Sequence, residues 1–535
     1  MDYLPIFSVE TWILLITFIC LFVMYGYSSY GIFEQLGIPV TKPIMYWGTI
    51  GRLNSVYYLE DIENAKMFGR IWGVYELKKP MLAVMDPDML KTILVKECFT
   101  YFTNRRNFRL NGELYDAVSI AEDDEWRRLR NILSPYFTSG RQKELFDIMK
   151  HHSSKLTASL QSKAQNGEVI TIKDFFGSYS LDIMASSLLS VDLDTINNPS
   201  SPLITYANKL FRFPILLFLF QGCFPFALPL LELMGFSLFP KSSTNYFKRF
   251  VEKIRQQRNG NSQKNSRDML QNMIDSQTDN KSKKEGENKS KTTSHKFMLV
   301  NSHQRSASFH LTPRWCILSA LTELTDHEII SQVTMFVFAG YETSATTLTF
   351  LAYTLAQNPA VMKRLQEEID VTFPDMGPVQ YEALMQMEYL DSVVNECLRL
   401  YPPAARLERV AKEKVKINGI TIPKDMLVMV PVYALHHDPE LWAEPKEFRP
   451  DRFSKENKQN IRPYTYLPFG AGPRNCIGMR FALLMVKLAL VEVLQNYSFS
   501  VCDETEIPLK MDPEGLVGPL KPIKLKVVTR SNQCN

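Results

Sequence analysis

The sequence predicts a mainly α-helical chain with small β-sheets, set behind an N-terminal membrane helix. Three observations predict this. Residues 11–33 carry no charge, and Trp12 to Tyr27 are almost all apolar. Apolar residues recur at helical spacing over 325–357, 387–400 and 479–495, whereas strand signals are few. A glycine-rich loop, Phe469 to Gly478, places one cysteine, Cys476, at the entrance to the last of these helices. The chain has 535 residues, 45% apolar and 22% charged, which is enough to build a large core. A net charge of +4 without an arginine-rich tract argues against nucleic acid as a partner. Eight cysteines are scattered with no Cys-x-x-Cys pair. That disfavours zinc ribbons and redox dithiols, and fits a reducing compartment.

The elements follow in order. The run after Thr11 can cross a hydrocarbon core of about 30 Å. A cleaved signal peptide needs a basic start, but this chain begins Met1-Asp2 and has Glu10 before the run. Residues 1–33 therefore read as an uncleaved signal anchor crossing once, with Lys42 and Arg52 on the cytosolic side. A linker bearing Pro39 and Pro43 spans 34–51, and one large domain spans 52–530. Residues 126–133 read as helix. Residues 210–239 are dense in Phe and Leu but broken by Pro214, Pro225, Pro229 and Arg212. They read as a surface dipping into the bilayer interface rather than a second span. Residues 276–296 form a polar, lysine-rich solvated loop, and 297–322 an extra segment behind it. Thr325 and Glu328 make a capping box that starts a long helix, and Asn358-Pro359 ends it. Pro402 and Pro403 stop the helix over 387–400. Asn418-Gly419 marks a type I′ hairpin over 415–423.

Cys476 sits where an extended segment turns into a helix. Backbone N–H groups and the helix dipole there favour a thiolate, which can ligate a soft or borderline metal. Gly470, Gly472 and Gly478 are expected to supply positive φ and close backbone approach. A lone buried cysteine is usually a small hydrophobe, but the surrounding pattern is more specific. Phe469, Gly472, Arg474, Cys476 and Gly478 fit Phe-x-x-Gly-x-Arg-x-Cys-x-Gly without a miss. This segment resembles the haem-thiolate signature of the cytochrome P450 superfamily. The resemblance implies a triangular helical prism, with haem b between a long distal helix and the proximal cysteine loop. Cys476 is then the axial ligand of the haem iron.

The remaining motifs take their roles from that resemblance. Ala339, Gly340, Glu342 and Thr343 lie mid-helix, where Gly340 costs about 1 kcal/mol relative to alanine. Ala339 and Gly340 are expected on the distal face of the haem, Gly340 leaving room for dioxygen. Thr343 and Glu342 are expected to deliver protons. The plainer alternative has Thr343 bonding back along its own helix and Glu342 in an ion pair. Glu396 and Arg399, at i, i+3, are expected to join Arg452 in a buried structural network. Trp126 and Arg130 share a helical face and, with Arg474, Arg105 and Arg409, are expected at the haem propionates. Local detail is similar to vertebrate family 3, subfamily A. That implies a roomy pocket lined by Phe108, Ile120, Phe338, Ala404 and Ala405, besides Ala339 and Thr343, with residues 210–220 as its roof.

The function implied is a haem-thiolate monooxygenase. It inserts one oxygen atom from O2 into lipophilic substrates, steroids and xenobiotics. NADPH–cytochrome P450 reductase supplies the electrons, with cytochrome b5 as a further partner. Arg127, Arg128 and Lys487 are expected to dock the acidic flavoprotein. The implied location is the endoplasmic reticulum membrane, with the catalytic domain cytosolic. Two alternatives stand beside this reading. One is a thromboxane-synthase-like endoperoxide isomerase, which needs no proton-delivering alcohol and so leaves Thr343 unexplained. The other is a non-enzymatic haem- or steroid-binding protein.

Overall fold

The computed structural model describes residues 8–52, 54–211, 214–260, 268–275 and 323–530. The polar loop and extra segment, 276–322, and Arg212 lie outside the described residues.

A helix covers Val9–Tyr27, capped by the Ser8 hydroxyl and exposed along its length except at half-buried Tyr25 and buried Gly26. Nineteen residues span about 28 Å, and the helix is apolar enough to cross a membrane. It ends at Tyr27, not at Phe33 as the uncharged run suggested. Phe33 is fully buried instead, its ring so close to the Gly73 backbone that a side chain at Gly73 would overlap it. The 34–51 stretch is annealed to the first sheet rather than free. Gly73 N–H donates to Pro39 O at 2.8 Å, and Thr49 N–H to Tyr75 O at 2.9 Å.

That sheet has four strands in the order Ile71–Glu76, Lys79–Val84, Leu427–Val430, Leu407–Val410. The middle pairing is parallel, with Leu82 opposite Val428. The outer pairings are antiparallel, and Arg409 lies opposite Val428. A three-stranded sheet joins Val169–Thr171, Lys524–Thr529 and Tyr497–Ser500. Residues 415–422 form the expected hairpin, with Asn418 at φ 47° and Gly419 at φ 85°. Both central residues are left-handed, as a type I′ turn requires.

Helices supply most of the core. The long helix covers Asp326–Gln357, and both halves of its Thr325–Glu328 capping box are formed. Its buried Thr334, Thr347, Thr349 and Thr354 bond back to carbonyls four residues earlier, as Thr349 Oγ1 does to Ala345 O at 2.7 Å. That lets hydroxyls enter a dry interior without going unpaired. The long helix crosses the helix Ile172–Leu189 at close range. Ser180 Oγ bonds to the carbonyls of Gly340 and Tyr341 at 3.1 and 3.0 Å. A Cβ on Gly340 would sit 2.5 Å from the Met184 sulfur. Gly340 therefore has a packing reason in addition to the expected one. The C-terminal helix, Met479–Asn496, is buried on most sides.

Residues 210–239 are divided among short helices, although Pro202–Cys223 taken together is long and apolar enough to cross a membrane. Pro214 separates Pro202–Leu210 from Ile215–Cys223, and a short helix, Leu228–Leu233, follows. Leu216, Phe226 and Leu233 are 79%, 71% and 85% exposed. The end of the anchor helix joins this surface. Tyr25 hydroxyl donates to Cys223 O at 3.1 Å, and its ring stacks 6.1 Å from Phe224.

Candidate active site

Behind the cysteine loop lies a fully buried polar hub. Arg399 and Glu396 meet through two 2.8 Å bonds, both side chains wholly inaccessible. The remaining Arg399 donors reach the carbonyls of His436, Pro445 and Glu447. Arg452 Nε and Arg449 N–H also donate to Glu396. Every donor of the guanidinium is used, which is what makes a buried charge tolerable. His436 extends the hub forward. Its Nε2 accepts from Leu467 N–H at 2.8 Å, and its Nδ1–H donates to Arg399 O at 3.1 Å. Burial, with His437 and Arg399 nearby, keeps this imidazole neutral. The hub thus fixes the start of the loop that carries Cys476.

The loop itself is tight. Cys476 N–H donates to Phe469 O at 2.9 Å. Gly472 has φ +72°, and a Cβ there would overlap the Leu94 carbonyl oxygen. Gly478 differs from expectation: its φ is −87°, and a Cβ would meet only the Phe137 ring at 3.9 Å. The Cys476 sulfur is solvent-accessible, yet burial is the main influence on its thiol and pushes its pKa up. A sulfur with that combination faces an interior space. The Gly478 N–H and the cations Arg105 and Arg130 act in the opposite direction and favour the thiolate.

The long helix is unburied along part of one face. Its residues 331–337 and 344–355 are buried, but Phe338, Ala339, Gly340, Glu342 and Thr343 are not. Phe137 bridges the two walls, near Gly478 on one side and 5.4 Å, ring to ring, from Phe336 on the other. Thr343 Oγ1 donates to Ala339 O at 2.7 Å. Glu342 pairs with Lys173 of the crossing helix and accepts from Thr346 Oγ1 at 3.3 Å. Both groups thus occupy the plainer arrangement weighed above.

Four arginines gather beside Cys476. Arg474 donates to the carbonyls of Thr103, Val118 and Ala121, at 2.8, 3.1 and 2.7 Å, and lies 4.5 Å over the Trp126 ring. Arg130 donates twice to Asn475, at 3.0 and 2.8 Å. Arg105 donates to Arg474 O at 3.0 Å. Arg409 reaches only Glu408 O, at 2.8 Å, and its buried Nε has no partner. Burial and mutual repulsion lower Arg409 and Arg474 to about 9. Among the described residues none of the four forms an ion pair with a carboxylate. Buried cations without anions are costly. The donor set therefore fits a ligand that carries carboxylates of its own, with a soft cation at the Cys476 sulfur. Haem has both.

The predicted lining residues divide. Phe338 stacks on Phe211 at 4.2 Å and meets Phe239 edge-on at 6.0 Å. Phe108 lies 6.1 Å from Phe218 and under the Arg106 guanidinium. Ile120 and Ala404 are partly accessible. Ala405 is only 2% exposed, and its carbonyl accepts from Tyr433 N–H. It packs within the core rather than lining the space.

Two of the cations expected to dock a partner are not available for it. Lys487 is buried and paired with Asp391, because that face of the C-terminal helix turns toward the helix Glu388–Leu400. Arg128 pairs with Glu328 at the start of the long helix. Arg127 remains half exposed beside Asp124. Sequence reading missed His436 and Gln332. Gln332 stands out only as an amide in an apolar stretch, and nothing in its spacing names its partner.

Comparison with known proteins agrees with this geometry. The family model "Cytochrome P450" matches residues 38–307 and 316–527. The unmatched 308–315 lie within the extra segment. Cytochrome P450 3A27 of Oncorhynchus mykiss is 53% identical over 534 residues, covering 99% of this chain and 97% of the relative. Cytochrome P450 3A30 of Fundulus heteroclitus is 53% identical over 526 residues, covering 98% and 99%. Cytochrome P450 3A29 of Sus scrofa is 47% identical over 535 residues, covering 99% of each. These findings give no support to the endoperoxide-isomerase or carrier readings. The chain belongs to the cytochrome P450 family, haem monooxygenases that act on steroids and xenobiotics.

Proposed function

We propose that the Cys476 thiolate would ligate the haem iron, and that the interior space between its loop and the long helix receives bulky lipophilic substrates. The observation that carries this is the accessible, enclosed sulfur beside four arginines that pair with no carboxylate among the described residues. Haem bound there supplies the iron chemistry of dioxygen cleavage and oxygen insertion. Arg105, Arg130, Arg409 and Arg474 hold its propionates, and Trp126 backs the Arg474 guanidinium. Phe469 and Gly478 shape the loop around the sulfur.

Thr343 Oγ1 and Glu342 move protons from this side of the long helix. Thr343 must first exchange Ala339 O for a water, a hydrogen bond worth about 1 kcal/mol. Glu342 is held in reach by Lys173 and Thr346. Ala339 and Gly340 leave the wall low between Phe338 and Thr343. Phe108, Ile120, Phe338 and Ala404 exclude water and orient substrate through apolar contact. Electrons enter from the Cys476 side, supplied by NADPH–cytochrome P450 reductase and assisted by cytochrome b5. Arg127 and the exposed Arg480 face an acidic partner there. The anchor helix and the 215–239 surface seat the protein on the endoplasmic reticulum membrane, with the domain cytosolic.

The test is Cys476→Ser in the membrane-bound holoenzyme with reductase. Expected are loss of the thiolate-type ferrous–CO Soret band and of NADPH-dependent steroid hydroxylation. Retention of that band would show that another residue ligates the iron.

A further inference from the structure

We propose that Gln332 is a positioning residue that sets substrate selectivity by locking residues 116–121 between the long helix and the cysteine loop. Gln332 is fully buried. Its Nε2 donates to Asp116 O at 2.8 Å, and its Oε1 accepts from Val118 N–H at 2.7 Å. The two bonds run in opposite senses to alternate residues, so a slip of one residue breaks both.

The same stretch is held from the opposite side. Arg474 donates to Val118 O at 3.1 Å and to Ala121 O at 2.7 Å. Val118 therefore has its N–H on the long helix and its C=O on the cysteine loop. Ile120 lies inside the clamped interval, two residues after Val118. Asn104 and Asp123 close the base of the loop, Asn104 Nδ2 donating to Asp123 at 2.9 Å and Asp123 N–H to Asn104 Oδ1 at 2.8 Å. Further back, His327 Nδ1 meets Asp116 Oδ2 at 2.7 Å under the Tyr115 ring.

The tip of the loop is held differently. Leu110 packs with Leu231 and Leu238, and its carbonyl accepts from Leu238 N–H at 2.8 Å. Apolar contacts accept many geometries, whereas paired buried hydrogen bonds accept few. The clamp thus gives Ile120 one position relative to Phe338 while Phe108 moves with the roof. Which substrate C–H faces the reactive centre depends on that fixed edge.

The inference rests on the monooxygenase activity, and its readout is a ratio among products formed in the same turnovers. The probe is testosterone, which offers several oxidisable positions, given to the membrane holoenzyme with reductase. Gln332→Met keeps the volume and removes both bonds. The expected result is a change of about five-fold in the ratio of the two main products, the factor of one lost hydrogen bond. The thiolate-type Soret band should stay intact. Gln332→Glu, held protonated in this buried position beside Asp116, offers the same acceptor and a donor, and returns the ratio toward that of the native chain. Ser331→Ala, one residue away, leaves it unchanged. An unaltered ratio in intact Gln332→Met holoenzyme overturns the proposal. Absence of product from the native chain would overturn the activity itself, a separate outcome. A second measurement needs no variant. Hydrogen exchange at Val118 N–H in native holoenzyme should be among the slow amides of residues 103–123, and fast exchange there also overturns the clamp.

Discussion

The two sides of the interior space are built from opposite physics. Behind the sulfur, Arg399, Glu396, Arg452 and His436 form a buried lattice of directed hydrogen bonds, and every Arg399 donor is used. Across the space, Phe211, Phe218, Phe239 and the helices after Pro214 meet Phe108 and Phe338 ring to ring. Leu216 and Leu233 on that side remain largely exposed. Directed bonds fix one geometry, whereas apolar contacts tolerate repacking. The Cys476 loop is therefore held rigidly and the opposite wall loosely. That division suits one chemistry applied to many shapes.

The largest expected effect breaks the rigid side. Arg399→Ala leaves Glu396 charged, buried and short of partners, a cost of about 3–5 kcal/mol. Expression should yield little holoprotein, measured by the ferrous–CO spectrum per unit of antigen. A normal yield would mean the hub does not seat the cysteine loop.

An intermediate effect comes from acid. Burial lowers His152 and His437 to about 4 and holds His436 well below the usual imidazole range, while an unfolded histidine titrates near 6.5. Between pH 6.5 and 4 the unfolded chain binds more protons than the folded one, so stability falls as pH drops through that window. Melting temperature should decline over the same range, and His436→Gln should flatten the decline. A flat native profile would contradict the neutral, buried state of these rings.

The smallest effect belongs to the apolar side. Phe338→Ala removes the stacking partner of Phe211 and part of the proposed apolar substrate wall. The spectral dissociation constant for a steroid should weaken by about 1–2 kcal/mol, with the Soret band unchanged. If the variant instead lost haem, the contrast between the two sides would fail.

Much of this was legible because it depends on neighbours in the chain. The Thr325–Glu328 cap, the Asn418-Gly419 hairpin and the Glu396–Arg399 pair all formed where local spacing put them. What failed did so through unseen partners. Lys487 looked like a surface cation until Asp391 and the adjoining helix covered it. Ala405 looked like pocket lining but faces the core. Gly340 looked like space for a ligand, yet it also admits Met184. Phe33 continued an uncharged run, yet its ring belongs to the first sheet.

The sequence by itself determined the family, the loop bearing Cys476 and the helices around it. Those features rest on contiguous residues whose chemistry and period are readable along one chain. Only the tertiary structure decided which arginines lack carboxylates, and that Gln332 and Arg474 grip Val118 from opposite sides. Those facts depend on which groups, hundreds of residues apart, share one buried volume. Pairing there is set by packing and hydrogen-bond satisfaction, which local pattern does not encode.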